Sequence, residues 1–293
     1  MEATVHHPEI TAVGLASPWT SDRKSLEAAP AMPHDKKHCE LRMTDHRPEK
    51  IPPHPVLSAW YDDSARRSGF VQSLFDRTAP YYDRINTIFS LGSGRWFRRR
   101  MLRQTGLQAG DRVLDIATGT GLVAREAAGI AGASNVVGLD MSAGMLAECR
   151  RNVPGVSLVQ ADAQRLPFSD GQFDLLSMGY ALRHVADLRE TFSVWRHALR
   201  PGGHVLILEI GRARSVMIQK ILRLYLGRIV PFLSGVTATR DSRTLMEYYW
   251  DTIAQCVSPE EIRKALSDAG FENVQQQTYF GVFHAYTGRR PKY

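Results

Sequence analysis

Apolar residues along this chain follow two periods, and the change from one to the other sketches the fold. From about residue 65, Phe70, Leu74 and Phe75, then Tyr81, Tyr82, Ile85 and Ile88, recur at helical spacing. Between Arg95 and Arg103, Trp96, Phe97, Met101 and Leu102 are interleaved with five arginines. Beyond residue 110, short apolar runs alternate with helical stretches. Arg112-Val-Leu-Asp-Ile reads as a buried strand and Leu122 to Ala128 as a helix. Val136 to Asp140 is a second strand, and Ser142 to Arg151 the helix after it. Val156 to Ala161 and Phe173 to Met178 are further strands; Asp187 to Leu199 is a helix, and His204 to Glu209 a fifth strand. Strands alternating with helices predict parallel crossover units, hence an α/β, doubly wound, mostly parallel sheet. Such a sheet binds ligands beyond the carboxyl ends of its strands.

Past Glu209 the alternation stops. Residues 211–240 hold no acid and five bases before Arg240, and Val216 to Val230 reads as a largely apolar helix. Ser258-Pro-Glu-Glu has the pattern of a helix start, with Pro259 at the first helical position and Glu261 at the third. Gly270 ends that helix after Ala269. Val274 to Phe280 and Val282 to Tyr286 predict a closing antiparallel pair.

Composition narrows the class. With 293 residues, 43% hydrophobic and 23% charged, the chain suits a globular domain, not a collagen-like repeat or a disulfide scaffold. Residues 1–55 carry eight of the fifteen prolines and six of the ten histidines with weak periodicity, so a disordered tail is expected to about residue 60. Met43 opens the segment leading into the folded region and is a candidate translation start. The remaining residues divide into a helical cap (65–105), a cofactor-binding core (110–210), a helical substrate cover (211–255) and a C-terminal helix with strand pair (258–290). Cys39, Cys149 and Cys256 are scattered and show no metal-ligand spacing, which predicts free thiols in a reducing cytoplasm and no metal site. The net charge of +7 suggests anionic partners without choosing among nucleic acid, acidic lipid and a phosphorylated ligand.

The sharpest chemical signal is Val113-Leu-Asp-Ile-Ala-Thr-Gly-Thr-Gly121, a strand entering a glycine turn that opens a helix. Glycine lets the backbone approach a ligand where a Cβ would clash. Asp140 ends the next strand at the same crevice, placed to accept hydrogen bonds from ribose hydroxyls. Gly119, Gly121 and Ala124 with that acid also satisfy a dinucleotide fingerprint, so a nicotinamide dehydrogenase stays open on these residues alone. Asp115 ahead of the glycines, Asp162-Ala163 after the third strand and Leu199-Arg-Pro-Gly-Gly203 before the fifth tilt the choice.

Together these resemble the class I S-adenosylmethionine-dependent methyltransferases. A closer resemblance, over about residues 70–290, is to the ubiquinone/menaquinone biosynthesis C-methyltransferases. It is carried by Tyr82-Asp83-x-Ile85-Asn86-x-x-Phe89-Ser90, Ala181-Leu-Arg183-His184-Val185 and Tyr248-x-x-Asp251-Thr-Ile253. Gly94 stands where that family's signature carries a histidine, Phe97 replaces its tryptophan, and His184 replaces the asparagine of Leu-Arg-Asn. Gly179 aligns with a serine that lines the family's cofactor site.

The resemblance implies a Rossmann-like methyltransferase fold with a seven-stranded sheet, S-adenosylmethionine as cofactor and an aromatic or quinol acceptor methylated on a ring carbon. It also implies roles. Gly119, Thr120 and Gly121 pass the amino-acid and ribose portions, Asp140 takes the ribose with Met141 beside it, Asp162 and Ala163 flank the adenine, and Asp115 supports the loop or the ammonium end. Arg183 is the candidate cation for a ring oxyanion, His184 a proton acceptor, and Tyr82 and Asp83 close the acceptor side. Each has a plainer alternative: Arg183 as a salt-bridge partner, His184 as a loop histidine, Tyr82 and Asp83 as packing with a cap, Asp162 as a turn cap, Asp115 as a loop tie. Methylation of oxygen or nitrogen on a natural product or lipid, and a non-catalytic cofactor-binding scaffold, are the competing readings. The basic, apolar segments at 95–103 and 212–230 suit either a helix on anionic lipid at the inner face of the membrane or a cover over the site. No nucleic-acid module accompanies them, and a homodimer is left open.

Overall fold

The computed structural model describes residues 50–90, 92–211, 215–225, 229 and 240–293. Two helices come first, α1 (Ser64–Phe89) and α2 (Gly94–Gln104). Then follow β1 (Val113–Ile116), α3 (Leu122–Ala131), β2 (Val136–Asp140), α4 (Ala143–Asn152), β3 (Ser157–Gln160) and β4 (Phe173–Gly179). The chain continues through α5 (Leu188–Ala198), β5 (Leu199–Ile210), α6 (Val216–Leu224), α7 (Arg240–Ala254), α8 (Pro259–Asp268), β6 (Glu272–Tyr279) and β7 (Phe283–Arg289).

The seven strands form one sheet in the order β3-β2-β1-β4-β5-β7-β6. β1 pairs in parallel with β2 and with β4, and β7 returns antiparallel between β5 and β6. The chain reverses its direction of winding between β1 and β4, so their carboxyl ends open a crevice there. β1 is buried along its whole length, as its apolar run requires of a central parallel strand. β5 is longer than expected: it begins at Leu199, which pairs with Phe173 across an irregular register, so the Pro-Gly-Gly turn lies inside the strand. The Ser258–Glu261 capping box forms, with both reciprocal hydrogen bonds.

Residues 1–49, 91, 212–214, 226–228 and 230–239 lie outside the described residues, and with them most of the expected tail and part of the expected 212–230 helix. The tail's boundary at 60 is corrected. Leu57 and Tyr61 are buried, the Ile51 and Leu188 N–H groups and the Asp187 carboxylate tie this segment to α5, and Trp60 Nε1 donates to Asp251 at 2.9 Å. Proline content suggested disorder, but the apolar residues between the prolines have a surface to bury against.

α1 is fastened along the crevice by polar residues one or two turns apart. Gln72 Nε2 donates to the Met141 carbonyl, and Asp76 Oδ1 accepts from Ser142 Oγ and the Gly144 N–H at 2.6 and 3.0 Å. Asp76 thereby satisfies a free amide at the start of α4. Gly144 is obligatory in this contact, since a Cβ would stand 3.0 Å from the Asp76 carbonyl oxygen. That carbonyl has no helical donor, because the residue four positions on is Pro80.

Candidate active site

The crevice at the β1/β4 switch point holds a cavity of about 140 Å³. Its walls include Gly119, Asp140, Met141, Asp162, Ala163, Gly179 and His184 among the expected residues, with Phe75 and Tyr82 of α1 as a roof. Gly119 sits at φ +56 with nothing within 4 Å of where a Cβ would point, so open space lies above its backbone. Its N–H donates to Asp140 Oδ2 at 2.8 Å, and the Ser142 N–H donates to Oδ1 at 2.9 Å. The Met141 amide also acts on this carboxylate, which still lines the cavity as an acceptor for a ligand hydroxyl. Burial pushes the Asp140 carboxyl up to about 6, against the pull of those amides. Met141 and Ala163 supply apolar walls, while Asp162 also accepts from the Gln164 N–H, so its turn-cap alternative holds beside its place in the wall. Gly179 is required from behind, because a Cβ there would fall 2.7 Å from Val123 Cγ2.

Four expected residues stand behind this wall. Asp115 is 1% exposed and accepts from Thr118 Oγ1, the Ala124 N–H and Ser177 Oγ at 2.7, 3.1 and 2.6 Å. It ties the glycine loop to β4 and α3 and leaves no oxygen facing a ligand; burial raises it to about 6. Thr120 turns its hydroxyl to Asp83 Oδ1, and Asn152 Nδ2 bridges Asp83 Oδ2 and the Thr120 carbonyl. Asp83 is thus a brace holding α1 to the start of α3, not a wall of the acceptor side. Gly121 (φ +88) is there for packing: a Cβ would meet Cys149 Sγ and Val153 Cγ2 at 2.7 Å.

A second, larger cavity of about 510 Å³ adjoins the first, and Tyr82 and Tyr180 belong to both linings. It is apolar, built from α1, α2, α6, α7 and the β6–β7 turn. Tyr249 Oη donates to Tyr82 Oη at 3.0 Å inside it. Arg183 reaches its edge, 1% exposed, with Nη1 on Glu209 Oε1 and on the Tyr180 carbonyl, both at 2.6 Å, and its guanidinium 4.8 Å from the Tyr249 ring centre. The Arg183 N–H also donates to Glu209 Oε2. The salt-bridge reading therefore holds for Arg183, although the group still lines the cavity. His184 lies on the cofactor side, stacked 5.5 Å from Tyr248 with Nδ1 3.2 Å from its hydroxyl. Burial and the Arg183 charge hold its pKa well below the ordinary histidine value, so it is neutral, with Nε2 unpartnered.

Sequence reading missed Tyr180, Tyr249, Glu209 and Arg98. Tyr180 carried a signal only in three dimensions: φ +61, which few residues other than glycine adopt and which turns its ring between the cavities.

Comparison with known proteins agrees with this geometry. The family model described as "ubiE/COQ5 methyltransferase family" matches residues 62–290. The Geobacter sulfurreducens protein named ubiquinone/menaquinone biosynthesis C-methyltransferase is 32% identical over 228 residues, covering 75% of this chain and 88% of its own. The Thermus thermophilus demethylmenaquinone methyltransferase is 32% identical over 222 residues, 74% of this chain and 100% of its own. Among solved structures, the [4+2]-cyclase SpnF shares the fold at a TM-score of 0.56 and 17% identity, over 76% of this chain and 96% of its own. A fold shared with a cyclase shows that architecture alone does not select the chemistry.

Proposed function

Because this chain belongs to the ubiE/COQ5 methyltransferase family, and so is a methyltransferase, we propose that it moves a methyl group from S-adenosylmethionine to a ring carbon of a demethylquinol in ubiquinone or menaquinone biosynthesis. The observation that carries the reading is the pair of adjoining cavities: a small polar-walled one at the glycine loop and a large apolar one, meeting at Tyr82 and Tyr180.

The residues fit the cofactor. Asp140 offers a carboxylate acceptor to a ribose diol, Gly119 leaves room above its backbone, and Met141 with Ala163 gives the apolar walls an adenine needs. When bound, the cofactor supplies an electrophilic methyl carbon on a sulfonium. The protein's task is placement, since holding nucleophile and methyl in line accounts for roughly 7–11 kcal/mol of barrier in well-oriented systems. With that group bound, its methyl would pass to the ring carbon, leaving S-adenosylhomocysteine, and the displaced ring proton would pass to solvent as the product leaves. The apolar cavity excludes water from that step. The Tyr82 and Tyr249 hydroxyls orient a ring oxygen, and Arg183 lies at the edge to stabilise negative charge that develops there.

Peripheral contact with a membrane is part of the same reading. Val216, Met217, Ile221 and Leu224 of α6 are exposed with Lys220 and Arg223 among them, and exposed Trp96 and Phe280 stand at the rim of the larger cavity. An apolar face ringed by bases suits an anionic bilayer, from which a prenylated acceptor would enter. Among the described residues no helix is long and apolar enough to cross a membrane.

The test is incubation of the purified protein with isotopically labelled methyl donor and a lipid extract from a demethylquinone-accumulating strain. Label on a quinone ring carbon is expected. Label on oxygen or nitrogen, or none on any lipid, overturns the reading.

A further inference from the structure

The larger cavity contains a charge that no carboxylate among the described residues neutralises. Arg98 on α2 is 5% exposed and lines the cavity. Its neighbours one turn apart point the other way: Arg95 and Arg99 reach Glu126 at 2.9 and 3.7 Å. Among the described residues no carboxylate pairs with Arg98, and its Nε is buried without a partner. The Tyr180 ring packs against it, its centre 5.9 Å from the guanidinium carbon. In sequence, residues 211–239 include no Asp or Glu. Arg183 differs in just this respect, because Glu209 already balances it.

Room for the Arg98 guanidinium is made by Gly94. A Cβ at that position would stand 2.9 Å from Arg98 Nη1 and 3.0 Å from Ser90 Oγ. A histidine, which the resembling family's signature carries there, would compete for the same space. Guanidinium does not shed its proton inside a protein, so burial without a counter-charge is costly. An anion arriving with the ligand would remove that cost.

We propose that Arg98 is the anion subsite of the acceptor cavity, and that the aromatic acceptor bound there carries an anionic oxygen, either a ring carboxylate or an ionised ring hydroxyl. The proposal rests on the reading of this cavity as the acceptor site. Arg98 meets the anion with a planar fork of donors, Tyr180 backs the guanidinium, and the apolar walls strengthen the pairing by excluding water.

The test is calorimetric titration of the full chain with 1-hydroxy-2-naphthoate and with 1-naphthol, with S-adenosylhomocysteine as a separate probe of the cofactor side. At about pH 7 the wild type is expected to bind the carboxylate roughly tenfold or more tightly than the neutral phenol. Arg98→Met removes that preference, Arg98→Lys keeps part of it, and Gly94→Ala, which crowds the guanidinium from the other side, weakens it independently. All variants retain affinity for S-adenosylhomocysteine. The second source is read by raising the pH from about 7 to about 9.5, which ionises a growing share of the phenol. Naphthol binding that tightens in the wild type and stays flat in Arg98→Met assigns the subsite to a ring hydroxyl. No discrimination in either arm, or discrimination that survives both Arg98→Met and Gly94→Ala, overturns the proposal. If neither naphthalene binds while S-adenosylhomocysteine does, the acceptor reading of the cavity falls, and the subsite with it.

Discussion

The two cavities are built on different principles. The cofactor crevice is made of backbone and short side chains at the ends of neighbouring parallel strands, and its polar groups hold one another in place. Asp140 is fixed by two amides, and Asp115 by two hydroxyls and an amide. The larger cavity, the proposed acceptor site, is made of long side chains brought from helices far apart in sequence, and it keeps one charge balanced by Glu209 and one with no carboxylate partner among the described residues. On the proposed reading, the first is shaped before its ligand arrives, and the second would be completed by its ligand. Rigidity is thus concentrated where the cofactor varies little, and latitude where an acceptor is chosen.

That contrast breaks most visibly at Glu209. Glu209→Gln leaves Arg183 buried without a counter-charge, and loss of one partner of such a pair costs about 3–5 kcal/mol. Thermal unfolding is expected to shift down by roughly 10 °C for a domain of this size. An unfolding midpoint unchanged by the substitution would show that Arg183 is less dependent on its partner than the geometry states.

At the crevice the expected loss is in affinity. Asp140→Ala removes two charged acceptor positions, and S-adenosylhomocysteine binding is expected to weaken by roughly 100-fold in calorimetry. With the Asp140 carboxyl pushed up to about 6, affinity rises as pH climbs from 5 to 7, because ionisation strengthens the acceptor. Asp140→Asn is expected to flatten that profile. Stability moves the other way. Asp115 and Asp140 both bind protons more tightly in the folded state, so their contribution is complete below the unfolded value near ~4 and is lost as pH rises through about 6. Affinity and stability with parallel pH slopes would contradict both assignments.

The smallest expected effect separates brace from wall. Asp83→Ala breaks the contacts with Thr120 and Asn152 and is expected to cost about 1–2 kcal/mol, read as a modest drop in unfolding temperature. Turnover at saturating concentrations should stay within about threefold of wild type, since no cavity wall is removed. A turnover collapse with unchanged stability would restore the acceptor-side role that sequence alone suggested.

The difference between the cavities also explains what was legible beforehand. The strand–turn–helix around Gly119, the acid at Asp140 and the Asp162-Ala163 step are local in the chain, and periodicity with glycine placement locates them. The apparent errors nearby are errors of facing. Thr120 and Gly121 belong to the same motif but support the loop from behind, Thr120 through Asp83 and Gly121 against Cys149 and Val153, while Asp115 takes the loop-tie position open to it in the sequence. Asp83 shares a motif with Tyr82, but adjacent residues on a helix point in different directions. The acceptor cavity could not be read in the same way. Tyr249 meets Tyr82 across 167 positions, Glu209 meets Arg183 across 26, and the isolation of Arg98 is a property of everything that does not touch it. The N-terminal boundary fails for a related reason, because Trp60 finds its partner Asp251 only after the chain has folded.

Tyr82 and Tyr180 stand in both linings at once. Were either ring to turn, one chamber would grow at the expense of the other, and filling one side would then alter the free energy of filling its neighbour. Linkage makes that influence mutual: whatever factor the first occupant applies to the second is returned in full. A shared partition of this kind would also be the channel through which the two occupancies communicate.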